Sequence, residues 1–123
     1  MNDLTGKSIL IADDEAGIVT ALENIFKYLG ATVHSAENGC EAWEKFNSVN
    51  DIDVVITDAT MPGKECDGLT FARRVREKSP GMQILMITGH SEEVRESALA
   101  AGVDHVIAKP FRMDEILGLL SSH

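Results

Sequence analysis

Short apolar runs alternate along this chain with apolar residues at helical spacing. The runs show no polar alternation, which is typical of strands covered on both faces of a parallel sheet. They lie at residues 9–12, 54–56, 84–87 and 106–108, and a weaker strand is predicted at 32–35. Between the runs, apolar residues recur three or four positions apart, as at Ile18, Leu22, Ile25 and Leu29, which indicates amphipathic helices.

Residues suited to helix ends flank the helical segments. Ser, Asn and Asp favour the N-terminal cap of a helix, and Gly favours the left-handed turn that ends one. The candidate caps are Asn38, with Glu41 at capping-box spacing, Asp67 and Ser91; the candidate stops are Gly30 and Gly102. Five strands, each followed by a helix, predict a doubly wound α/β domain with right-handed crossovers.

Length, composition and charge limit the class of protein. A chain of 123 residues with 44% hydrophobic and 25% charged residues fits one domain and excludes a two-domain enzyme. The net charge of −9 disfavours direct contact with nucleic acid or an anionic membrane. The N-terminal segment has no apolar leader region, and the longest apolar runs of about four residues are far below the ~20 that span a bilayer. We therefore expect a cytoplasmic protein.

The two cysteines carry little information by spacing. Cys40 and Cys66 lie far apart in the sequence, without a CxxC arrangement or a histidine cluster nearby. This disfavours a zinc site and a redox pair. We expect two free thiols in a reducing compartment.

Chemically distinctive side chains stand at the ends of four predicted strands. Asp13 and Asp14 follow the first strand, Asp58 the third, Thr88 the fourth and Lys109 the fifth. Ligands of open α/β sheets bind beyond the carboxyl ends of the strands, so we expect these side chains to share one crevice. Clustered carboxylates need protonation or a cation, and oxygen ligands favour Mg²⁺.

With such an ion, the same residues predict a site for phosphoryl transfer. An aspartate carboxylate can attack phosphorus and form an acyl phosphate. Asp58 stands alone at the end of the central run and is the predicted nucleophile, whereas the pair Asp13 and Asp14 is suited to holding metal. The Lys109 ammonium and the Thr88 hydroxyl would bind phosphoryl oxygens. Each residue alone has an ordinary structural explanation, and their joint placement favours the functional one.

Five motifs, in this order, resemble the receiver domain of two-component response regulators. They read ILIADDE, VVITDATMPG, a following DG, MITGH and AGVDHVIAKPF. The resemblance covers nearly the whole chain, and we expect a single receiver domain over residues 4–121 with no output domain among them. It implies a flavodoxin-like fold, with five helices around a five-stranded parallel sheet in the order 2-1-3-4-5.

The resemblance also implies particular roles for the residues at the strand ends. Asp58 would accept a phosphoryl group from the phosphohistidine of a sensor histidine kinase or phosphotransfer protein. The Asp14 and Asp58 carboxylates and the Thr60 backbone carbonyl would contact Mg²⁺, and Asp13 would act largely through metal-bound water. Lys109 would bind a phosphoryl oxygen.

A receiver of this kind is a switch and not a turnover enzyme. It catalyses its own phosphorylation and slow dephosphorylation, and Thr88 moves inward when the phosphoryl group arrives. The new charge then shifts a loop and helix equilibrium that a downstream protein or output domain detects. Leu99 projects away from the apolar stripe of the fourth helix, so we also expect a partner or homodimer face on helices 4 and 5.

Three features depart from the family pattern. Val106 stands where relatives commonly carry Tyr or Phe, so activation is expected to displace helix 4 without burying a ring. The loop at 62–68 is two residues longer than usual, which fits surface length variation, partner selection or altered water access. Thr60 and His90 occupy positions that in the family influence hydrolysis of the acyl phosphate; His90 either orders a water or is a solvated loop residue.

Other interpretations stay open at this point. A hydrolase of the haloacid dehalogenase type would need a second Asp where the chain has Thr60, and a cap domain. A flavodoxin would need a phosphate-binding first loop, but Asp13, Asp14 and Glu15 would repel a phosphate. A degenerate receiver is disfavoured by the full set of site residues. The chain is either a stand-alone regulator or a receiver excised from a hybrid histidine kinase or a transcription regulator.

Overall fold

Five parallel strands form one sheet in the order β2-β1-β3-β4-β5. A computed structural model describes residues 3–121; Met1 and Asn2 of the N-terminal segment and the last two residues lie outside this range. The strands are β1 (Ser8–Ala12), β2 (Thr32–Ala36), β3 (Val54–Asp58), β4 (Gln83–Thr88) and β5 (His105–Ala108). The helices are α1 (Ala16–Tyr28), α2 (Gly39–Ser48), α3 (Gly68–Lys78), α4 (Ser91–Ala101) and α5 (Met113–Ser121). The predicted fold class and strand order are confirmed.

Both faces of the sheet are covered by helices. Successive residues of a strand point to opposite sides, so each central strand contributes to two apolar cores. Leu10 and Val55 belong to the core beneath α2, α3 and α4. Ile9 and Val54 belong to the core beneath α1 and α5. This double coverage explains why the strands read as uninterrupted apolar runs. Within residues 3–121, no helix has the length and apolar character needed to cross a membrane.

The helix ends confirm most of the predicted caps. The Asn38 side chain accepts a hydrogen bond from the Glu41 N–H (2.8 Å), and the Asp67 side chain accepts one from the Thr70 N–H (2.7 Å). Both predicted glycine stops adopt positive φ angles, 101° at Gly30 and 100° at Gly102.

The predicted cap at Ser91 is wrong. Ser91 is the first residue of α4, and His90 is its N-cap residue, without a side-chain capping bond. The Thr88 hydroxyl oxygen accepts the His90 N–H (3.1 Å), which holds residue 90 close to the end of β4. The helix therefore begins one residue earlier than a Ser91 cap would require.

One arginine connects several elements at the amino edge of the sheet, opposite the strand ends that carry the candidate site. The Arg76 guanidinium, near the end of α3, donates to the Gly102 carbonyl that terminates α4 (2.9 and 2.7 Å). It also donates to the Pro80 and Met82 carbonyls before β4 (both 2.7 Å) and pairs with Asp104 before β5 (3.0 Å). Side-chain bonds thus fix α3, α4, β4 and β5 to one another at this edge.

The two cysteines form a disulfide, so the expectation of two free thiols and the argument from spacing against a cysteine pair are both wrong. Their Cα atoms are 4.8 Å apart although 26 positions separate them in sequence. Cys40 lies in the first turn of α2, and Cys66 directly precedes the Asp67 cap of α3. Because α2 and α3 pack on the same face and both begin at the carboxyl edge of the sheet, their N-terminal ends meet.

Candidate functional site

The register of the strands brings the predicted site residues together. β1 and β3 are aligned up to their ends, so Asp13 and Asp58 leave the sheet side by side. β4 and β5 are aligned in the same way, and the Lys109 backbone N–H donates to the Thr88 carbonyl (2.9 Å). All four residues lie at the carboxyl edge, as predicted.

Three aspartates form the acidic centre of this edge. One carboxylate oxygen from each of Asp13, Asp14 and Asp58 lies within 4.8 Å of the other two. Asp13 and Asp58 are buried, whereas Asp14 is exposed. The Asp13 carboxylate accepts the Glu15 N–H (2.8 Å), which orients it. Burial raises the pKa of Asp13, and the charge of Asp58 acts in the same direction; the Glu15 N–H and Lys109 oppose the shift without cancelling it.

Lys109 is the cation of the cluster. Its Nζ lies 3.1 Å from Asp13 Oδ2, 3.1 Å from Asp58 Oδ2 and 2.6 Å from Glu15 Oε1. Burial alone would lower the pKa of Lys109, but hydrogen bonds to Glu15, Asp58 and Asp13 outweigh it and raise the pKa above its usual value. The ammonium is therefore charged at neutral pH and leaves the carboxylates in excess.

Glu15 is a member of the site to which the sequence assigned no role. It makes the shortest contact to Lys109 although its side chain is 58% exposed. Glu15 is the N-cap residue of α1, and α1 lies on the same face of the sheet as α5, which follows Lys109. That shared face is the feature from which the contact could have been inferred.

An open cleft of about 370 Å³ lies over the cluster. It is lined by Asp14, Glu15, Asp58, Thr60, Thr88, Gly89, His90 and Lys109. Asp13 does not line this cleft; it lines a neighbouring one together with Asp14. The Thr60 N–H lies 3.4 Å from Asp58 Oδ1, and the Thr88 side chain is buried. Every predicted site residue is thus in the cleft or directly behind it.

The backbone of Asp58 is fixed by its neighbours. The Thr57 hydroxyl donates to the Asp58 carbonyl (2.9 Å), and the Gly68 N–H donates to the Ala59 carbonyl (2.9 Å). A Cβ atom on Gly68 would lie 1.6 Å from the Asp58 carbonyl oxygen, so only glycine fits at this approach. The carboxylate at the tip of β3 is consequently held on a rigid support.

The acidic cleft has the composition of a site for a hard cation and a phosphoryl group. The donors are carboxylate oxygens, which suit Mg²⁺, and a lysine ammonium stands beside the central carboxylate. Such a cleft, at the carboxyl edge of a parallel sheet in the order 2-1-3-4-5, defines a phosphoacceptor domain of the doubly wound α/β class.

Comparison with known proteins identifies the family. The model of the response regulator receiver domain matches residues 9–121, and the chain belongs to that family. It is therefore a receiver domain of two-component response regulators, as the sequence motifs indicated.

The match covers very different shares of the relatives' lengths. The chain is 39% identical over 109 residues to the chemotaxis protein CheY1 of Helicobacter pylori, a match that covers 84% of this chain and 85% of that protein. It is 37% identical over 116 residues to the uncharacterized transcriptional regulatory protein YesN of Bacillus subtilis, covering 91% of this chain but only 31% of YesN. A crystal structure of the response regulator TrrA of Thermotoga maritima, in complex with Mg²⁺-BeF, superposes with a TM-score of 0.83 at 34% identity, over 94% of this chain and 97% of that one.

Proposed function

We propose that residues 4–121 form a single receiver domain in which Asp58 accepts a phosphoryl group from the phosphohistidine of a sensor kinase or phosphotransfer protein. The observation that carries this proposal is the setting of the Asp58 carboxylate. Lys109 Nζ lies 3.1 Å from Asp58 Oδ2, and Asp13 and Asp14 contribute carboxylate oxygens within 4.8 Å. This site joins a nucleophile to a cation and to a cluster of metal ligands.

In the transfer step, an Asp58 carboxylate oxygen forms a bond to phosphorus while the bond from phosphorus to the histidine nitrogen breaks. The electron pair of the broken bond leaves with the imidazole. Lys109 is already in contact with Asp58 and is placed to bind an oxygen of the incoming group. The buried Thr88 also lines the cleft, and its hydroxyl would donate to a second phosphoryl oxygen.

Asp13, Asp14 and Asp58, with the Thr60 backbone carbonyl, would hold Mg²⁺. Their carboxylates fit this ion because three acidic groups lie within 4.8 Å and Lys109, which also pairs with Glu15, does not balance their charge. When bound, the metal neutralises the charge that develops on the transferred group. The Mg²⁺-BeF complex of the related TrrA supports this assignment.

The domain acts as a switch in a cytoplasmic signalling pathway. The phosphoryl charge draws Thr88 inward and displaces α4, since Val106 offers no ring to bury. The surface that changes with phosphorylation is formed by α4 and α5, where Leu99 is 51% exposed. This surface binds a downstream protein, an output domain or a second copy of the chain. With a net charge of −9, this domain itself makes no direct nucleic acid contact. Its catalysis is limited to self-phosphorylation and slow self-dephosphorylation.

The test is phosphorylation by a small donor. The protein is incubated with acetyl phosphate and Mg²⁺, and the intact mass is measured before and after base treatment. We expect a base-labile gain of one phosphoryl group in the wild type and in Asp51→Asn, which changes an exposed aspartate outside the cluster. Asp58→Asn should gain none. Equal modification of Asp58→Asn, or no modification of the wild type, would refute the proposal.

A further inference from the structure

The disulfide joins the first turn of α2 to the segment that follows the proposed phosphoacceptor. We name residues 59–67, between Asp58 and α3, the phosphoacceptor loop. Cys66 is its penultimate residue, and Thr60, whose carbonyl is a proposed metal ligand, lies near its start. Both cysteines are only half-buried, so a small thiol or disulfide can reach them.

Several contacts connect Cys66 to α2 and to the central turn of the loop. The Cys66 carbonyl accepts the Gly39 N–H at the start of α2 (2.7 Å), and the Cys66 N–H donates to the Gly63 carbonyl (3.3 Å). A Cβ on Gly63 would lie 3.2 Å from the Cβ of Cys66, so the turn packs directly on this cysteine. The disulfide therefore anchors both the end and the central turn of the loop to α2.

The same loop is tied to Asp58 at its other end. It starts from the Asp58 backbone itself, and the Gly68 N–H closes it by donating to the Ala59 carbonyl (2.9 Å). Thr60 lies inside this closed segment and contributes both to the cleft and to the hydrogen bond with Asp58. A change in the mobility of the loop therefore changes the mobility of Thr60, a proposed metal ligand, which lies six residues before Cys66.

We propose that Cys40 and Cys66 form a reversible thiol–disulfide modification site that exchanges with small thiols and disulfides, and that its oxidised form holds the phosphoacceptor loop ready for Mg²⁺. The cysteine chemistry stands independently, whereas its effect on phosphorylation rests on the proposed function.

A small dithiol such as dithiothreitol supplies the electrons and protons that reduce the disulfide, and the oxidised form of the same reagent accepts them when the disulfide forms again. A thiolate of the dithiol attacks one sulfur and breaks the bond between Cys40 and Cys66, giving a mixed disulfide and one released cysteine thiolate. The second thiolate of the reagent then displaces the other cysteine. The protein gains two electrons and two protons as two thiols, and the reagent loses the same two electrons and two protons as it closes into a cyclic disulfide.

Reduction breaks the covalent link between the loop and α2. The hydrogen bond from the Gly39 N–H to the Cys66 carbonyl still joins the loop to α2, and the bond from the Gly68 N–H to the Ala59 carbonyl still closes the loop. Binding of Mg²⁺ must then order the Thr60 carbonyl, and the entropy lost in this ordering makes the free energy of Mg²⁺ binding less favourable. We expect the Mg²⁺ concentration at half-saturation to rise by about threefold or more on reduction. Phosphorylation at subsaturating Mg²⁺ should slow by a similar factor.

The experiment compares the full chain in its oxidised and reduced forms. Alkylation followed by intact-mass measurement counts free thiols; because the chain has two cysteines, the count reports this pair alone. Calorimetric titration with Mg²⁺ then gives the affinity of each form, and acetyl phosphate gives the rate. We expect no free thiols and tighter Mg²⁺ binding in the oxidised form, two thiols and weaker binding after dithiothreitol, and a return after reoxidation.

The matched control is the double variant Cys40→Ser with Cys66→Ser. It should bind Mg²⁺ as the reduced wild type does and should not respond to dithiothreitol. Thiols that never exchange, equal Mg²⁺ affinity in the two forms, or a redox response that persists in the double variant would overturn the proposal. If neither redox form is phosphorylated, the proposed function fails, while the thiol count and the Mg²⁺ titration still decide this inference.

Discussion

The substitution Asp13→Asn should stabilise the metal-free protein and weaken its binding of Mg²⁺. At an effective dielectric of about 20, charges 3.1 Å apart, as between Lys109 and Asp13, attract by about 5 kcal/mol; charges at 4.8 Å, the limit for Asp13 and Asp58, repel by about 3.5 kcal/mol. Asp14 adds a smaller repulsion because it is exposed. Attraction and repulsion therefore nearly cancel.

The cost of burying the Asp13 charge then decides the sign. The side chain is only 4% exposed, and the amide of the variant still has an oxygen to accept the Glu15 N–H. We expect Asp13→Asn to raise the free energy of unfolding by about 1 to 2 kcal/mol at neutral pH without metal. For a chain of 123 residues this corresponds to an increase in Tm of about 4 to 8 °C.

The gain should depend on pH and on Mg²⁺. Because the pKa of Asp13 is raised by folding, the folded protein binds more protons between the unfolded and folded pKa values, and wild-type stability falls as pH rises through that window. Below about pH 4 both states are protonated, and the advantage of the variant should vanish. Saturating Mg²⁺ should stabilise the wild type more than the variant, since the variant lacks one carboxylate.

Thermal denaturation from about pH 3 to pH 8, with EDTA or with excess Mg²⁺, measures both effects. Asp51→Asn serves as control, because it removes an exposed carboxylate outside the cluster and should change stability by less than about 0.5 kcal/mol. A variant that is less stable than the wild type in EDTA at neutral pH would refute the reasoning about the buried charge.

Two further predictions concern the support of the site. Gly68→Ala should destabilise the protein by about 3 kcal/mol or more and abolish phosphorylation, because the added Cβ meets the Asp58 carbonyl oxygen at 1.6 Å. Gly118→Ala, an exposed helical position with open space, should instead gain about 0.5 to 1 kcal/mol, and urea denaturation with a phosphorylation assay distinguishes the two. Replacing Cys40 and Cys66 by Ser should lower the free energy of unfolding by about 3.5 kcal/mol, as estimated for a loop of 26 residues; a loss below about 1 kcal/mol in urea titrations of the oxidised proteins would contradict it.

The fold and most of the site could be predicted because they depend on local patterns and on one rule of topology. Uninterrupted apolar runs mark strands covered on both faces, and the residues that follow parallel strands collect at one edge. Asp13, Asp58, Thr88 and Lys109 were accordingly found from their positions alone. The receiver motifs added the strand order, which the sheet confirms; the match to the receiver family confirms the motifs themselves.

What the sequence did not reveal is which side chains meet at the ends of helices that share a face of the sheet. The meeting of Cys40 and Cys66 requires α2 and α3 to lie on the same side, and the contact of Glu15 with Lys109 requires the same of α1 and α5. Neither arrangement leaves a trace in residue spacing. The misplaced cap at Ser91 has another cause, since a single bond from His90 to the Thr88 hydroxyl shifts the helix start.

The hydrogen bonds of Arg76 hold the amino edge of the sheet and the C-terminal end of α4 together. Through its bonds to the Gly102 carbonyl and to Asp104, Arg76 ties the last turn of α4 and the approach to β5 to the rest of the sheet. At the other end of α4, the Thr88 hydroxyl accepts the His90 N–H, and the exposed His90 side chain lies beside Glu93. When Thr88 shifts, we expect α4 to rotate about its C-terminal end, so that the N-terminal end nearest the phosphoryl group is displaced most.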